Sequence, residues 1–186
     1  MPMIRESIVI TTDKDGRVHI APIGLIAEDD DWVIAPFRPS TTLDNLQAVP
    51  FATASHTDDV RVFAGCLTGR RDWPTVASEE VPVPRLAGAL SHAELQMTGM
   101  QDDPRRPRFR CRVLRLVSHA PFAGFNRAQA AVIEAAILVS RLHMLPRERV
   151  EREFGYLQSA VDKTAGPGER EAWTWLVDKV RAHFGP

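Results

Sequence analysis

The chain has 186 residues, 44% of them hydrophobic, enough for one domain or a core domain with a small annex. Formal net charge is −1 and the isoelectric point is about 6.6, so no global field draws the chain to nucleic acid or anionic lipid. The two cysteines, Cys66 and Cys111, are far apart and match no metal spacing; with an N-terminus unlike a signal, they fit a reducing cytoplasm.

The first two-thirds read as β structure. IRESIVITT and RVHIAPIGLIA flank Asp13-Lys14-Asp15-Gly16, a hairpin signal because glycine supplies the positive φ of such a turn. A third strand, WVIAPF, follows, and TTLDNLQAV is a short helix closed by Pro50. FATASH and VRVFAGCL are read as two further strands around Thr57-Asp58-Asp59. Residues 69–84 hold no period and contain Pro74, Pro82 and Pro84, so they are an excursion of the kind that often carries function. LAGALSHAELQMTGM and RFRCRVLRLVSHA form an antiparallel pair across QDDPRRP. Arg108, Arg110 and Arg112 alternate with Phe109, Cys111 and Val113, and Leu114 and Leu116 break that phase, which predicts a β-bulge near Val113. Glu94, His92 and Gln96 share one face of the opposite strand. They make either a solvated Arg/Glu face or an anion-binding groove.

From Asn126 the chain is helical. Asn126-Arg127-Ala128-Gln129 has the form of a capping box, and the helix it opens runs to Leu145, apolar on nearly every side. Arg127, Glu134 and Arg141 recur every seven residues as one stripe, an internal ion-pair ladder, a ladder across a dimer contact or, at Arg127, a residue facing a ligand. Pro146 opens an amphipathic helix with Val150, Phe154, Leu157 and Val161 on one face. After Gly166-Pro167-Gly168 a third helix carries Trp173, Trp175, Leu176, Val180 and Phe184. The longest apolar run, AAVIEAAILVSRLHML, is interrupted by Glu134 and Arg141 and is a poor membrane span. The whole is an α+β chain: roughly seven antiparallel strands, enough to close as a barrel, then a three-helix annex, with domains at 1–122 and 123–186.

PFRPSTTLDNL raises the main chemical question. A helix N-terminus offers unpaired N–H groups and partial positive charge, Ser40, Thr41 and Thr42 add hydroxyls, and Arg38 adds a permanently charged fork. That set suits a phosphate, and it also suits an ordinary capped helix; Asn45, one turn on, is a surface residue or a further donor. The six histidines show no HxH or HExxH spacing, so no metal site is expected. There is no nucleophile elbow, no Walker sequence and no GxGxxG, and no catalytic residue can be named. The arginines from 105 to 115 lack interleaved surface aromatics, so nucleic acid is not an expected partner.

IRESIVITT, HIAPIG, RPSTTLDNL and FNRAQAAVIEAAILVSRLHML together resemble the DUF447 family of flavin-reductase-like, FMN-binding split-barrel proteins, over nearly the whole chain. The resemblance implies an antiparallel split β-barrel with FMN as cofactor. Its phosphate would lie on Arg38, Ser40, Thr41 and Thr42, with Asn45 supporting the ribityl or phosphate end. Pro22, Ile23 and Gly24 would lie against the ring edge, and Asn126 and Arg127 near the cofactor or a second subunit. It further implies a cytoplasmic homodimer, with the helical subdomain packed on the barrel or the dimer contact, and no membrane partner.

The function so implied is an FMN-dependent oxidoreductase acting on a small molecule, with NAD(P)H as a candidate partner and pterin or one-carbon metabolism as a candidate setting. The 69–84 excursion, with Arg70, Arg71 and Trp73, would be a lid or a substrate-facing loop, and the face of Arg108, Arg110 and Arg112 would meet an anionic substrate or a nucleotide phosphate. The alternative is a non-catalytic flavin-binding or electron-carrier module.

Overall fold

The computed structural model describes residues 3–185. They fall into two compact units, one of residues 3–57 and 72–122, the other of 58–71 and 123–185.

The first unit is a closed six-stranded antiparallel barrel. β1 (Ile4–Thr12) and β2 (Val18–Glu28) form the opening hairpin, paired from Ile4↔Ile26 to Thr12↔Val18. Gly16, at φ 80°, lies in the turn between them, where the positive angle favours glycine. β3 (Asp31–Ile34) pairs with β2 and with β8 (Arg108–Ser118); β7 (Ser91–Gln101) pairs with β8 and with β4 (Phe51–His56); and β4 closes the ring on β1. α1 (Thr41–Ala48) covers one end. The barrel core joins Val9, Leu25, Ile34, Leu43, Leu46, Leu95 and Phe109. Complete burial of a side chain such as Phe109 contributes about 1.5–3 kcal/mol. The expected bulge exists: Glu94 faces Arg115 and Leu95 faces Val113, leaving Leu114 as the extra residue.

Between β4 and β7 the chain is not the open excursion expected from sequence. β5 (Thr75–Val76) and β6 (Arg85–Leu86) form a short hairpin, and Val81 and Val83 are buried. Three polar anchors hold this segment on the barrel. Thr53 Oγ1 donates to the Pro84 carbonyl, Ser55 Oγ accepts from Leu86 N–H, and the fully buried Glu94 carboxylate accepts from the N–H groups of Glu79, Glu80 and Val81. Glu94 therefore does not join the arginine face, as the strand phase suggested. Burial opposes its charge, but the backbone donors and His92 outweigh it and hold the carboxyl below the usual carboxylate range.

The second unit is helical. Residues 60–67, expected to be a strand, form α2 (Val60–Leu67), capped by Asp59, whose carboxylate accepts from Arg61 N–H. Val60 and Val62 mimic a strand alternation, but Val60, Ala64 and Leu67 fall on one helical face and pack among helices. α3 (Arg127–Val139) stops six residues short of the expected Leu145, and a 3₁₀ turn at Leu142–Met144 precedes α4 (Arg147–Thr164). α5 (Pro167–Phe184) ends the fold. Ala128, Ala131, Ala135 and Ala136 of α3 allow close packing against Val150, Val161, Trp173 and Leu176. Arg127, Glu134 and Arg141 are all exposed and form no ion pair with one another, so the stripe is a solvated face rather than a buried ladder.

Candidate functional site

Ser40 is the N-cap of α1, in extended conformation, and its Oγ accepts from Leu43 N–H at 3.3 Å. The amides of Thr41 and Thr42 occupy the first helical positions, where the helix itself supplies no acceptor. Thr41 is exposed and Thr42 is buried, and neither hydroxyl is spent on a neighbour among the described residues. α1 is fixed below this end by Leu43 and Leu46 in the barrel core and by Asn45, whose Nδ2 donates to Thr11 Oγ1 at 3.0 Å. Asn45 is thus a buried tie between α1 and β1, not a surface residue.

Arg38 reaches the same corner from the β3–α1 segment. Its Nη2 meets Asp102 at 2.6 Å and its Nε donates to the Asp103 carbonyl, while its backbone N–H bonds the Arg105 carbonyl. The 102–107 turn is further tied in by Arg106, which donates twice to the Ala35 carbonyl and stacks over Phe37. The sequence places this turn at QDDPRRP but does not show that it folds onto Arg38. Asp103 organises it by accepting from the Arg105 and Arg106 amides, which hold its carboxyl below the usual range. The donors that fit an anion here are two helix-end amides, the Thr41 and Thr42 hydroxyls, and the part of the Arg38 guanidinium that Asp102 leaves open.

Pro22, Ile23 and Gly24 lie in β2 opposite Ile8, Ser7 and Glu6 and are half-buried. A Cβ on Gly24 would come within 2.7 Å of Ile4 Cγ2 and 3.2 Å of Glu6 Oε1, so the space left by the missing side chain is filled by β1. Asn126 and Arg127 belong to the helical unit. Asn126 Oδ1 caps Ala128 and Gln129 N–H, and its Nδ2 donates to the Thr164 carbonyl, so every polar atom of that side chain serves the α3–α4 junction. Gln129 does not complete a capping box; it donates to Glu169, which also caps α5 through Gly166 N–H. Arg127 is exposed at the first turn of α3.

The arginine face is present, and the charges of Arg108 and Arg110, though not of Arg112, are matched by carboxylates. Arg108 pairs with Glu28, Arg110 with Asp31 at 3.1 Å, and Arg112 Nη2 donates to Gln96 at 2.8 Å. Among the described residues no cluster of His, Cys, Asp and Glu could hold a metal, and no helix is long and apolar enough to cross a membrane. Cys111 is buried, which pushes its thiol up to about 12.

A family model described as the N-terminal domain of a protein of unknown function, DUF447, matches residues 5–120, and the DUF447 C-terminal model matches 126–178. No curated protein matches the chain. Among solved structures, an FMN-bound DUF447 protein of Methanosarcina mazei is similar over 96% of both chains, at 18% identity and a TM-score of 0.83. The 2-nitrobenzoate 2-nitroreductase of Pseudomonas fluorescens is similar over 64% of this chain and 66% of its own, at 18% identity and a TM-score of 0.54. An FMN-binding protein of Thermus thermophilus, solved with 1-cyclohex-2-enone, matches over 63% and 71%, at 18% identity and a TM-score of 0.52. These likenesses establish an α+β fold with a split barrel, and with models matched over both units the chain belongs to the DUF447 family.

Proposed function

We propose that this protein is an FMN-binding flavoprotein and an oxidoreductase for a small molecule. The observation that carries the reading is the open end of α1, where unspent amides and hydroxyls at Thr41 and Thr42 stand beside Arg38. The donor set is chemically suited to a phosphomonoester dianion. The FMN-bound state of the Methanosarcina mazei relative supports the same choice of ligand.

In this reading Arg38, Ser40, Thr41 and Thr42 hold the phosphate. Asn45 keeps α1 in register with β1, so that the amides do not move when the anion arrives. Pro22, Ile23 and Gly24 present backbone to the ring edge. Bound FMN supplies the redox chemistry, which is why the chain needs no nucleophile or metal of its own. A homodimer, NAD(P)H as donor and a pterin-type substrate belong to the same proposal.

One observation favours a second reading, a flavin carrier that exchanges electrons with a protein. Arg108 and Arg110 are matched by Glu28 and Asp31, so the face offers little free positive charge to a nucleotide phosphate. Stopped-flow mixing of the flavin-loaded protein with NADH and NADPH separates the two. Bleaching with either supports the oxidoreductase, and no bleaching with both leaves the carrier.

The cradle itself is tested by titrating FMN and riboflavin into the wild type and into Arg38→Ala with Thr41→Ala. We expect FMN to bind at least about tenfold more tightly than riboflavin, and that preference to vanish in the double variant. Equal affinity for both flavins in the wild type would remove the phosphate cradle.

A further inference from the structure

The barrel carries a second constellation that shares no residue with α1. A cleft of about 740 Å³ lies where the ends of β4 and β8 meet the starts of β1 and β7, and its lining includes Arg5, His56, Ser91, His119 and Phe122. That volume is in the ordinary range for small-molecule sites. A chain of three titratable side chains runs from beneath the 79–81 segment, on the outer face of β7, to this cleft. Glu94 Oε1 lies 3.2 Å from His92 Nε2, and His92 Nδ1 lies 2.9 Å from His119 Nε2. Glu94 and His92 are buried, and His119 is exposed in the cleft wall.

The hydrogen-bond inventory fixes the direction of this chain. The Glu94 carboxylate is surrounded by donors, with three backbone N–H groups and one imidazole on its two oxygens. An ionised carboxylate only accepts, so His92 carries its proton on Nε2. With a neutral His92 ring, Nδ1 is a lone pair that accepts, and His119 then donates from Nε2. That leaves the His119 Nδ1 lone pair with no partner among the described residues. A base whose far nitrogen leads through a second imidazole to a buried carboxylate is oriented and charge-compensated.

We propose that this cleft is a general-base site for a small weak acid of the phenol or enol type, with His119 as the base and Arg5 as the anchor for the anion formed. The O–H bond of the ligand breaks, its proton goes to Nδ1 of His119, and the electron pair stays on oxygen. The positive charge on the imidazole pair is balanced by Glu94, and the ligand oxyanion is met by Arg5. His92 and Glu94 are positioning residues. Leu90, Pro121 and Phe122 give the organic body of the ligand an apolar wall.

The charged surroundings keep His119 unprotonated but weaken it as a base, so the transfer depends on Arg5 holding the anion and on Glu94 compensating the imidazolium. Desolvation, then Arg85 and His92, hold His119 below the usual imidazole range, and desolvation with Arg5 does the same for His56. Both rings are therefore neutral at pH 7, and the positive charge of the site resides on arginine. The other ionisable groups around the chain are Glu6 on the cleft lining and the ion pair of Arg115 with Glu79 at 2.8 Å. The proposal stands whether or not the protein binds flavin.

The probe is 4-nitrophenol, a phenol that is coloured only as its anion. Added to the full-length protein at pH 6, it is expected to show an increased anion band relative to buffer. His119→Gln, an exposed change that leaves the fold alone, should lower that increase by about tenfold or more. His143→Gln, which removes an exposed histidine of the helical unit, should leave it intact. Arg5→Gln should weaken binding of the probe. Glu94→Gln should shift the pH at which bound probe ionises upward, a change that loss of packing alone would not produce. No increase with the wild type, or an equal increase with His119→Gln, would overturn the proposal.

Discussion

Asn45 Nδ2 donates to Thr11 Oγ1 at 3.0 Å, and both side chains are buried. The bond joins the helix that would hold the phosphate to a strand paired on both sides within the barrel, and so converts barrel rigidity into position at the site. Asn45→Ala and Thr11→Val should each cost about 1–3 kcal/mol, because each strands a buried polar partner. Thr11→Val combined with Asn45→Ala should cost less than the sum of the two single changes. Urea unfolding of the four proteins checks this, and flavin titration should show weaker binding wherever the bond is absent.

Arg38 is held by Asp102 at 2.6 Å in a largely exposed pair. Such pairs add little to stability, so Asp102→Asn should hardly move the unfolding midpoint. It should nonetheless free the guanidinium for an incoming anion and tighten FMN several-fold, leaving riboflavin unchanged. Parallel fluorescence titrations of the two flavins give the answer.

Glu94 makes a pH-dependent contribution whose sign is set by its environment. Its folded carboxyl titrates below its unfolded value, so the stabilisation is fully present above the unfolded range near 4.5 and is lost as pH falls through the folded value. Unfolding midpoints measured from pH 7 down to pH 3 should fall for the wild type. They should fall less for Glu94→Gln, the two curves converging at the acid end. Glu94→Ala should cost about 1–3 kcal/mol at pH 7, since it leaves the buried Val81 N–H and the part-buried Glu79 and Glu80 N–H groups without their acceptor.

Gly24 is required by contact rather than by conformation, because Ile4 Cγ2 would lie 2.7 Å from a new Cβ. Ile4 is mostly exposed and its side chain can be shortened without opening the core. Gly24→Ala should destabilise by about 1 kcal/mol, and Ile4→Ala in the same chain should remove most of that penalty. Thermal melts of the single and double variants decide whether the close approach belongs to β1.

Asn126 spends its side chain on the start of α3 and the end of α4. Asn126→Ala should cost about 1–2 kcal/mol and leave flavin affinity unchanged. A large loss of flavin binding without loss of stability would return Asn126 to the cofactor site.

The hairpin of β1 and β2, the capped start of α1 and the amphipathic face of α4 were legible in the sequence because each is a local signal. Gly16 marks a turn, Ser40 marks a cap, and Val150 with Phe154, Leu157 and Val161 marks a helical face. What failed was longer in range. The alternation of Val60 and Val62 read as a strand, whereas the Asp59 cap and partners far along the chain make it a helix. Glu94 read as part of a solvated Arg/Glu face or an anion-binding groove because nothing local shows that Glu79, Glu80 and Val81 fold back over it. The donors around Thr41 and Thr42 were readable from composition, but the Asp102 claim on Arg38 needed the barrel to close.

The membership of residues 58–71 in the helical unit sets an order of events during synthesis. α2 emerges early, with Val60 and Ala64 ready for burial, yet the residues that cover them, Ala128, Trp173 and Leu176 among them, come from helices made after β8. A ribosome-bound chain that has just completed the barrel strands therefore carries an uncovered apolar helix. It should be more prone to capture by chaperones at that length than either shorter or finished chains.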